Sequence, residues 1–173
     1  YIPTNLVSIT DGQIFLDPDL FHKGVRPAIN VGISVSRVGG KTQLPAIRAV
    51  AKQLRLEYAQ FSELEVFTRF GATVEEETRK KIDRGRRIRQ ILKQLRLSPL
   101  TAPQQVAIFL AVHLDAIDKV PVSRLAEFQD RLTSEVPPGH KEISKKIEGG
   151  EELSDDEWDE LSGSVQSIAN DFA

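Results

Sequence analysis

The chain has no cysteine and no methionine, and only 6% of its residues are aromatic. Without cysteine there are no disulfides, no thiolate metal sites and no thiol nucleophiles. A translated chain starts with methionine, so the sequence is expected to be a fragment or a processed product, and its start within an apolar run favours a fragment. No long hydrophobic run occurs. The longest is Val106 to Val112, far short of the roughly 20 residues a spanning helix needs. Tyr1-Ile2-Pro3-Thr4-Asn5 is not a basic segment followed by an apolar one, so it does not read as a signal peptide. What is present is ordinary for a folded chain: 173 residues, 40% apolar and 28% charged, which excludes a mainly disordered polymer.

The formal charge of −2 hides two opposed blocks. Arg79, Lys80, Lys81, Arg84, Arg86, Arg87, Arg89, Lys93 and Arg96 face a single acid, Asp83, while Glu148 to Glu160 holds eight acids and no base. Such asymmetry marks either a nucleic-acid face with an acidic tail or two solvated helix faces. The basic block lacks interleaved aromatics that could stack on bases, which favours the second reading. A basic helical nucleic-acid-binding module stays as the alternative, and a salt titration separates the two.

Residues 1–40 read as strands and turns. Val7-Ser8-Ile9 precedes the turn signal Asp11-Gly12, and Ile29, Val31, Ile33 and Val35 alternate with polar or small residues at the strand period. From Pro45 the period changes. Ile47, Val50, Leu54, Tyr58, Phe61, Leu64 and Phe67 predict a long amphipathic helix ending near Gly71. Ile82, Ile88, Ile91, Leu92 and Leu95 predict a second, with Gly85 a weak point inside it. Thr101-Ala102-Pro103-Gln104 and Ser154-Asp155-Asp156-Glu157 read as capping boxes opening two more. Helices are also expected around Leu125–Leu132 and after Pro137-Pro138. The fold class is therefore mainly α: a bundle of five to six helices over 44–173, preceded by a short β-strand remnant of an α/β domain over 1–43.

Catalytic signatures are sparse. His22, His113 and His140 have no metal-ligand spacing, and no metal site is expected. His113 lies on an apolar stripe and reads as a core or rim residue. Gly40-Lys41-Thr42 imitates the end of a phosphate-binding loop, but the glycine needed five residues earlier is Val35. Arg37 is more informative. It follows Ser34 and Ser36 and precedes Gly39-Gly40, a position from which a planar, permanently charged fork can reach phosphate oxygens.

Pro27-Ala28-Ile29-Asn30-Val31-Gly32-Ile33-Ser34-Val35-Ser36 resembles a signature shared by the alpha and beta subunits of the rotary ATP synthase, and Ser34-Val35-Ser36-Arg37-Val38-Gly39 is similar to the alpha version. Tyr1 to Asn5 and Ser8 to Leu16 resemble the preceding family segment. The resemblance implies an alpha subunit, alternating with beta subunits around a central gamma stalk and coupled indirectly to a membrane proton channel. It implies that Arg37 reaches into the neighbouring beta subunit's catalytic site, with Ser34 needed for activity and Ser8 and Gly12 near phosphate. Ordinary turn chemistry explains Ser8 and Gly12 equally well. Phe21, Arg26, Pro27 and Gln94 match positions around the adenine of a non-catalytic nucleotide, whereas Leu95 and Arg96 replace a family glycine and glutamine. ATP or ADP with Mg²⁺ is expected in the whole subunit, none is expected to bind firmly to this chain alone, and no nucleic acid is expected. The implied location is peripheral, on the cytoplasmic face of a bacterial inner membrane. The loop Phe70 to Glu77 would lie near the stalk.

Overall fold

The structure is a computed structural model that describes residues 2–68 and 75–173. Most of the loop Phe70 to Glu77, and the predicted helix end near Gly71, lie outside the described residues. Four elements precede the bundle: helix α1 (Ile2–Ile9), strand β1 (Gly12–Gln13), helix α2 (Pro18–His22) and strand β2 (Val35–Ser36). The bundle comprises α3 (Pro45–Thr68), α4 (Glu76–Ile91), α5 (Ala102–His113), the single turn α6 (Ala116–Lys119), α7 (Leu125–Gly139), α8 (Lys141–Gly149) and α9 (Asp155–Asn170). Six helices longer than one turn match the expected mainly-α class.

Helix α5 is the axis. Val106, Ala107, Ile108, Leu110, Ala111 and Val112 are all buried, so its apolar residues cover most of its circumference, as expected of a helix enclosed by others. Helices α3, α7, α8 and α9 pack around it, and α4 packs on α3 and α7. Phe172 lies beyond the end of α9 but belongs to the same core. Its ring meets Phe128 edge-on at 5.5 Å, with the Arg124 guanidinium 4.3 Å above it.

Both capping boxes form. The Thr101 N–H donates to Gln104 Oε1 at 2.9 Å, and the Ser154 N–H donates to Glu157 Oε2 at 2.9 Å. Glu157 also accepts from Lys146 Nζ at 2.5 Å. That bond, with the Ser154 N–H, holds its carboxyl below the ordinary range. A depressed carboxyl stabilises the fold above its unfolded value and loses that contribution as pH falls through the folded one. Ser154→Ala is expected to cost about 1 kcal/mol, measured by urea unfolding at neutral pH. In Glu157→Gln the acid-side slope of stability should flatten.

Pro137 and Pro138 lie in the last turn of α7, and the short helix expected after them is α8, which ends at Gly149. Proline at 137 removes the N–H that would reach the Thr133 carbonyl, and Gln104 Nε2 donates to that carbonyl at 3.2 Å instead.

Two strand expectations are corrected. Val7-Ser8-Ile9 is helical, within α1, whose proline sits near its start as helix entry favours. Ile29–Ser36 is not a continuous strand. Asn30 Oδ1 accepts from the N–H groups of Gly32 and Ile33 at 3.1 and 3.3 Å, and Ser34 Oγ donates to the Asn30 carbonyl at 2.6 Å. These side-chain bonds offer the backbone a turn in place of a ladder. Only Val35–Ser36 pairs with β1, and Ile29 bridges Leu16 alone. Helix α4 likewise ends at Ile91, so Leu95 is off the predicted stripe and 79% exposed.

Candidate functional site

Two groups of residues carry the polar chemistry of the first segment. One surrounds an open cleft of about 790 Å³ whose wall includes Phe21, Arg26, Pro27, Gln94, Leu95 and Arg96. Asp17 organises one side of it. Its Oδ1 accepts from the Asp19 N–H at 2.9 Å, capping α2, and its Oδ2 accepts from Asn30 Nδ2 at 3.1 Å. The bond to Asn30 is the main reason its carboxyl titrates below the ordinary range. Gly24, at φ 73°, takes the left-handed turn that ends α2. The Arg26 guanidinium then lies 4.9 Å above the Phe21 ring. The other side comes from the segment after α4. The Gln94 N–H donates to the Arg26 carbonyl at 2.9 Å, and Gln94 Nε2 donates to the Ser98 carbonyl at 2.8 Å. Phe21, Arg26 and Pro27 therefore share one surface with Gln94, which is distant from them in sequence.

The other group gathers at the β1–β2 pair. Gly12 is opposite Ser36. Gly12 has φ 153°, and a Cβ there would lie 2.4 Å from the Val35 carbonyl oxygen, so this approach requires glycine. The Arg37 N–H donates to the Asp11 carbonyl at 2.8 Å, and Arg37 Nη2 donates to the Ser8 carbonyl at 3.1 Å. Ser8, Gly12 and Arg37 thus share one corner. Ser34 is tied elsewhere: its Oγ accepts from the Phe15 N–H at 3.0 Å while donating to Asn30. The Ser8 hydroxyl is turned back to the Asn5 carbonyl at 2.8 Å.

Residues 43–168 match the family model described as the ATP synthase alpha/beta chain, C terminal domain, and residues 1–36 match the ATP synthase alpha/beta family, nucleotide-binding domain. The chain belongs to the ATP synthase alpha/beta family. It is 54% identical over 153 residues to ATP synthase subunit alpha 1 of Rhodopirellula baltica, covering 88% of this chain and 30% of the relative. It is 50% identical over 175 residues to ATP synthase subunit alpha 2 of Syntrophotalea carbinolica, covering 99% of this chain and 33% of the relative. The chain spans about a third of the length of the curated relatives it matches.

Within this alpha/beta family chain the basic block is largely structural. Arg84 Nε binds Glu57 at 3.0 Å, and its two terminal nitrogens bind Asp115 and Asp118 at 2.7 Å each. Burial opposes its charge, but these carboxylates more than compensate and raise its pKa above the ordinary arginine value. Arg87 donates to the carbonyls of Ile117 and Val120. Arg89 forms a two-pronged pair with Glu65 at 2.8 and 2.9 Å. These contacts fasten α4 to α3 and α6, and the exposed remainder (Arg79, Lys80, Lys81, Arg86) is broken up by Glu76 and Asp83. The sequence favours a solvated basic helix face, whereas Arg84, Arg87 and Arg89 turn to acids and carbonyls of the bundle.

His113 is exposed at the end of α5. His140, which no sequence signal singled out, joins three helices: Nδ1 lies 2.7 Å from Glu160 Oε1 and Nε2 lies 2.8 Å from Ser164 Oγ. The i,i+4 spacing of Glu160 and Ser164 on α9 is the one hint, visible only once a partner is known. Gly40-Lys41-Thr42 forms part of a 3-10 turn, Gly39–Thr42, ahead of α3.

Proposed function

We propose that this chain is the C-terminal region of a rotary ATP synthase alpha subunit, contributing to two nucleotide-facing surfaces. The cleft at Phe21, Arg26, Pro27 and Gln94 forms one wall of a non-catalytic nucleotide site. Arg37 is the arginine offered to the catalytic site of a neighbouring beta subunit, with Ser34, Ser8 and Gly12 shaping the loops that carry it. The convergence of Phe21–Pro27 with Gln94 at one cleft supports this reading most directly. An aromatic face, a proline and apolar neighbours suit a base, and guanidinium groups suit phosphate or base acceptors.

Other features fit residues 1–43 as the end of a nucleotide-binding domain and 44–173 as a helical domain. Ile2, Leu6, Ile9, Ile14 and Leu16 are exposed in the first segment, whereas the apolar residues of the bundle form one buried cluster. Apolar patches of this kind mark covered surfaces; here the cover would be the rest of the subunit and its beta neighbours. Among the described residues no three metal-ligating side chains converge; in this reading the Mg²⁺ that accompanies ATP would be held by other parts of the subunit. Among the described residues no helix is long and apolar enough to cross a membrane, and the proposed location is peripheral, on the energy-coupling membrane beside its proton channel and gamma stalk.

Phe21→Ala in the whole subunit is expected to weaken adenine nucleotide binding by about 1–3 kcal/mol, the usual contribution of one aromatic stacked on a base. Calorimetric titration checks this, and unchanged affinity would overturn the assignment of the cleft. The 173-residue chain by itself is expected to show no ATP hydrolysis above background.

A further inference from the structure

A second cleft, of about 540 Å³, lies where the turn Gly39–Thr42 meets α3. Its size is that of a small-molecule site, about 300–1,000 Å³. One part of its lining is apolar. Leu54 and Tyr58 of α3, Leu92 at the end of α4 and Phe109 of α5 meet there, and all four are buried or half-buried. The other part is cationic. Arg48, Lys52 and Arg55 line the cleft from one face of α3, at the spacing that sets side chains above one another along a helix. The Cγ and Cδ of Arg48 lie against the turn, 3.8 Å from the position a Cβ on Gly40 would take. Among the described residues none of these three cations has a hydrogen-bond or ion-pair partner, and no carboxylate lines the cleft. Arg84, Arg87 and Arg89 differ in this respect, since acids or carbonyls of the bundle meet each of them. Like charges one turn apart on a helix face repel, and the chain supplies nothing here to offset them.

We propose that this cleft binds an amphiphilic organic anion, a carboxylate carried on an acyl chain. The carboxylate is met by Arg48, Lys52 and Arg55, and the chain lies against Leu54, Tyr58, Leu92 and Phe109. Charge complementarity selects the head, because a guanidinium fork pairs with a carboxylate through two parallel bonds. The apolar lining selects the body, because an acyl chain removes that surface from water and a bare inorganic anion does not. The turn and three helices enclose the space, which suits one molecule rather than the surface of a bilayer. The site is separate from the cleft at Phe21 and does not rest on the nucleotide reading.

The test is photolabelling of the assembled complex with a diazirine-bearing dodecanoate, followed by peptide mapping of residues 45–58, 92 and 109. Dodecanoate should displace the label at a concentration about tenfold or more below that of dodecanol, the difference a charge-assisted hydrogen bond makes. Arg48→Gln/Arg55→Gln removes no bond within the chain and should erase that difference with the thermal midpoint unchanged. Arg48→Lys/Arg55→Lys should keep part of it, and Arg79→Gln/Lys81→Gln, on the exposed face of α4, should leave it intact. Equal displacement by dodecanol, or a difference untouched by Arg48→Gln/Arg55→Gln, overturns the charged half of the site. Displacement by inorganic phosphate as effective as by dodecanoate overturns the apolar half. Displacement by anionic phospholipid vesicles as effective as by dodecanoate assigns the face to a membrane and overturns the proposal. No displaceable label on these segments shows that the rest of the assembly fills the cleft, and also overturns it.

Discussion

Replacing Arg37 by alanine in the assembled complex is expected to lower multisite ATP turnover by about 10³-fold or more while leaving nucleotide affinity nearly unchanged. The magnitude is that of arginines acting across an interface on a transferring phosphoryl group. Such an arginine works on charge that is fully developed only in the transition state, so it contributes to rate and little to ground-state binding. The local geometry suits this division. Arg37 is held at its backbone by the Asp11 carbonyl and at one terminal nitrogen by the Ser8 carbonyl. That anchoring orders the side chain but uses only one of its terminal nitrogens, leaving donors for oxygens presented from outside the chain. Arg37→Lys is expected to recover a small part of the loss, because an ammonium restores the charge without the planar fork. Steady-state rates beside equilibrium nucleotide titrations decide the matter. A variant with near-normal turnover, or one whose rate falls only in step with its affinity, would refute the assignment.

Gly85→Ala is expected to destabilise the bundle by about 2 kcal/mol, although alanine is the better helix former. The two effects have opposite signs. In an exposed helix interior, alanine gains about 1 kcal/mol over glycine. At Gly85, however, a Cβ would lie 2.0 Å from Phe61 Cγ and 2.5 Å from Phe61 Cβ, so the helices α3 and α4 must move or the ring must turn. The ring has no slack. Phe61 is 1% exposed, meets Tyr58 edge-on at 5.8 Å and carries the Arg89 guanidinium 4.5 Å above its face. Overpacking of this kind costs about 1–3 kcal/mol and occasionally more, enough to reverse the propensity gain. In urea unfolding the midpoint should drop. Trimming the ring in Gly85→Ala/Phe61→Leu should return part of the loss, giving a favourable coupling in the double-mutant cycle. A stabilised or neutral Gly85→Ala would show that the crossing is looser than the distances indicate.

Gly85 also shows where sequence reasoning stops. Within its own helix a glycine is a weak point, and propensity says no more. Its real role depends on Phe61, a residue in a different helix. Features decided by near neighbours were legible: the Thr101–Gln104 and Ser154–Glu157 boxes, the stripes of α3 and α9, and the proline entry to α5. The alternation of Ile29 to Val35 was equally regular and still did not produce a full strand, because alternation describes which faces differ and says nothing of a pairing partner. The Asn30 side chain, three bonds from the backbone, supplied a competing set of acceptors and donors. The candidate site was legible through resemblance rather than periodicity. Phe21, Arg26, Pro27 and Gln94 were matched one by one, and nothing in their spacing required that they meet. Arg84, Arg87 and Arg89 were misjudged for the opposite reason. A run of cations looks like one surface when written in a line, whereas a helix distributes it around its circumference, and three of its members turn inward to acids and carbonyls.

The backbone bond from Gln94 to the Arg26 carbonyl has a mechanical consequence. It pins the tail of α4 to the peptide that precedes Pro27, so the two walls of the cleft are not independently adjustable. A tilt of α4 would drag the Arg26 carbonyl with it and alter the gap that a base must fill. Conversely, a base wedged against Phe21 would resist that tilt, acting on the bundle as a chock acts on a wheel.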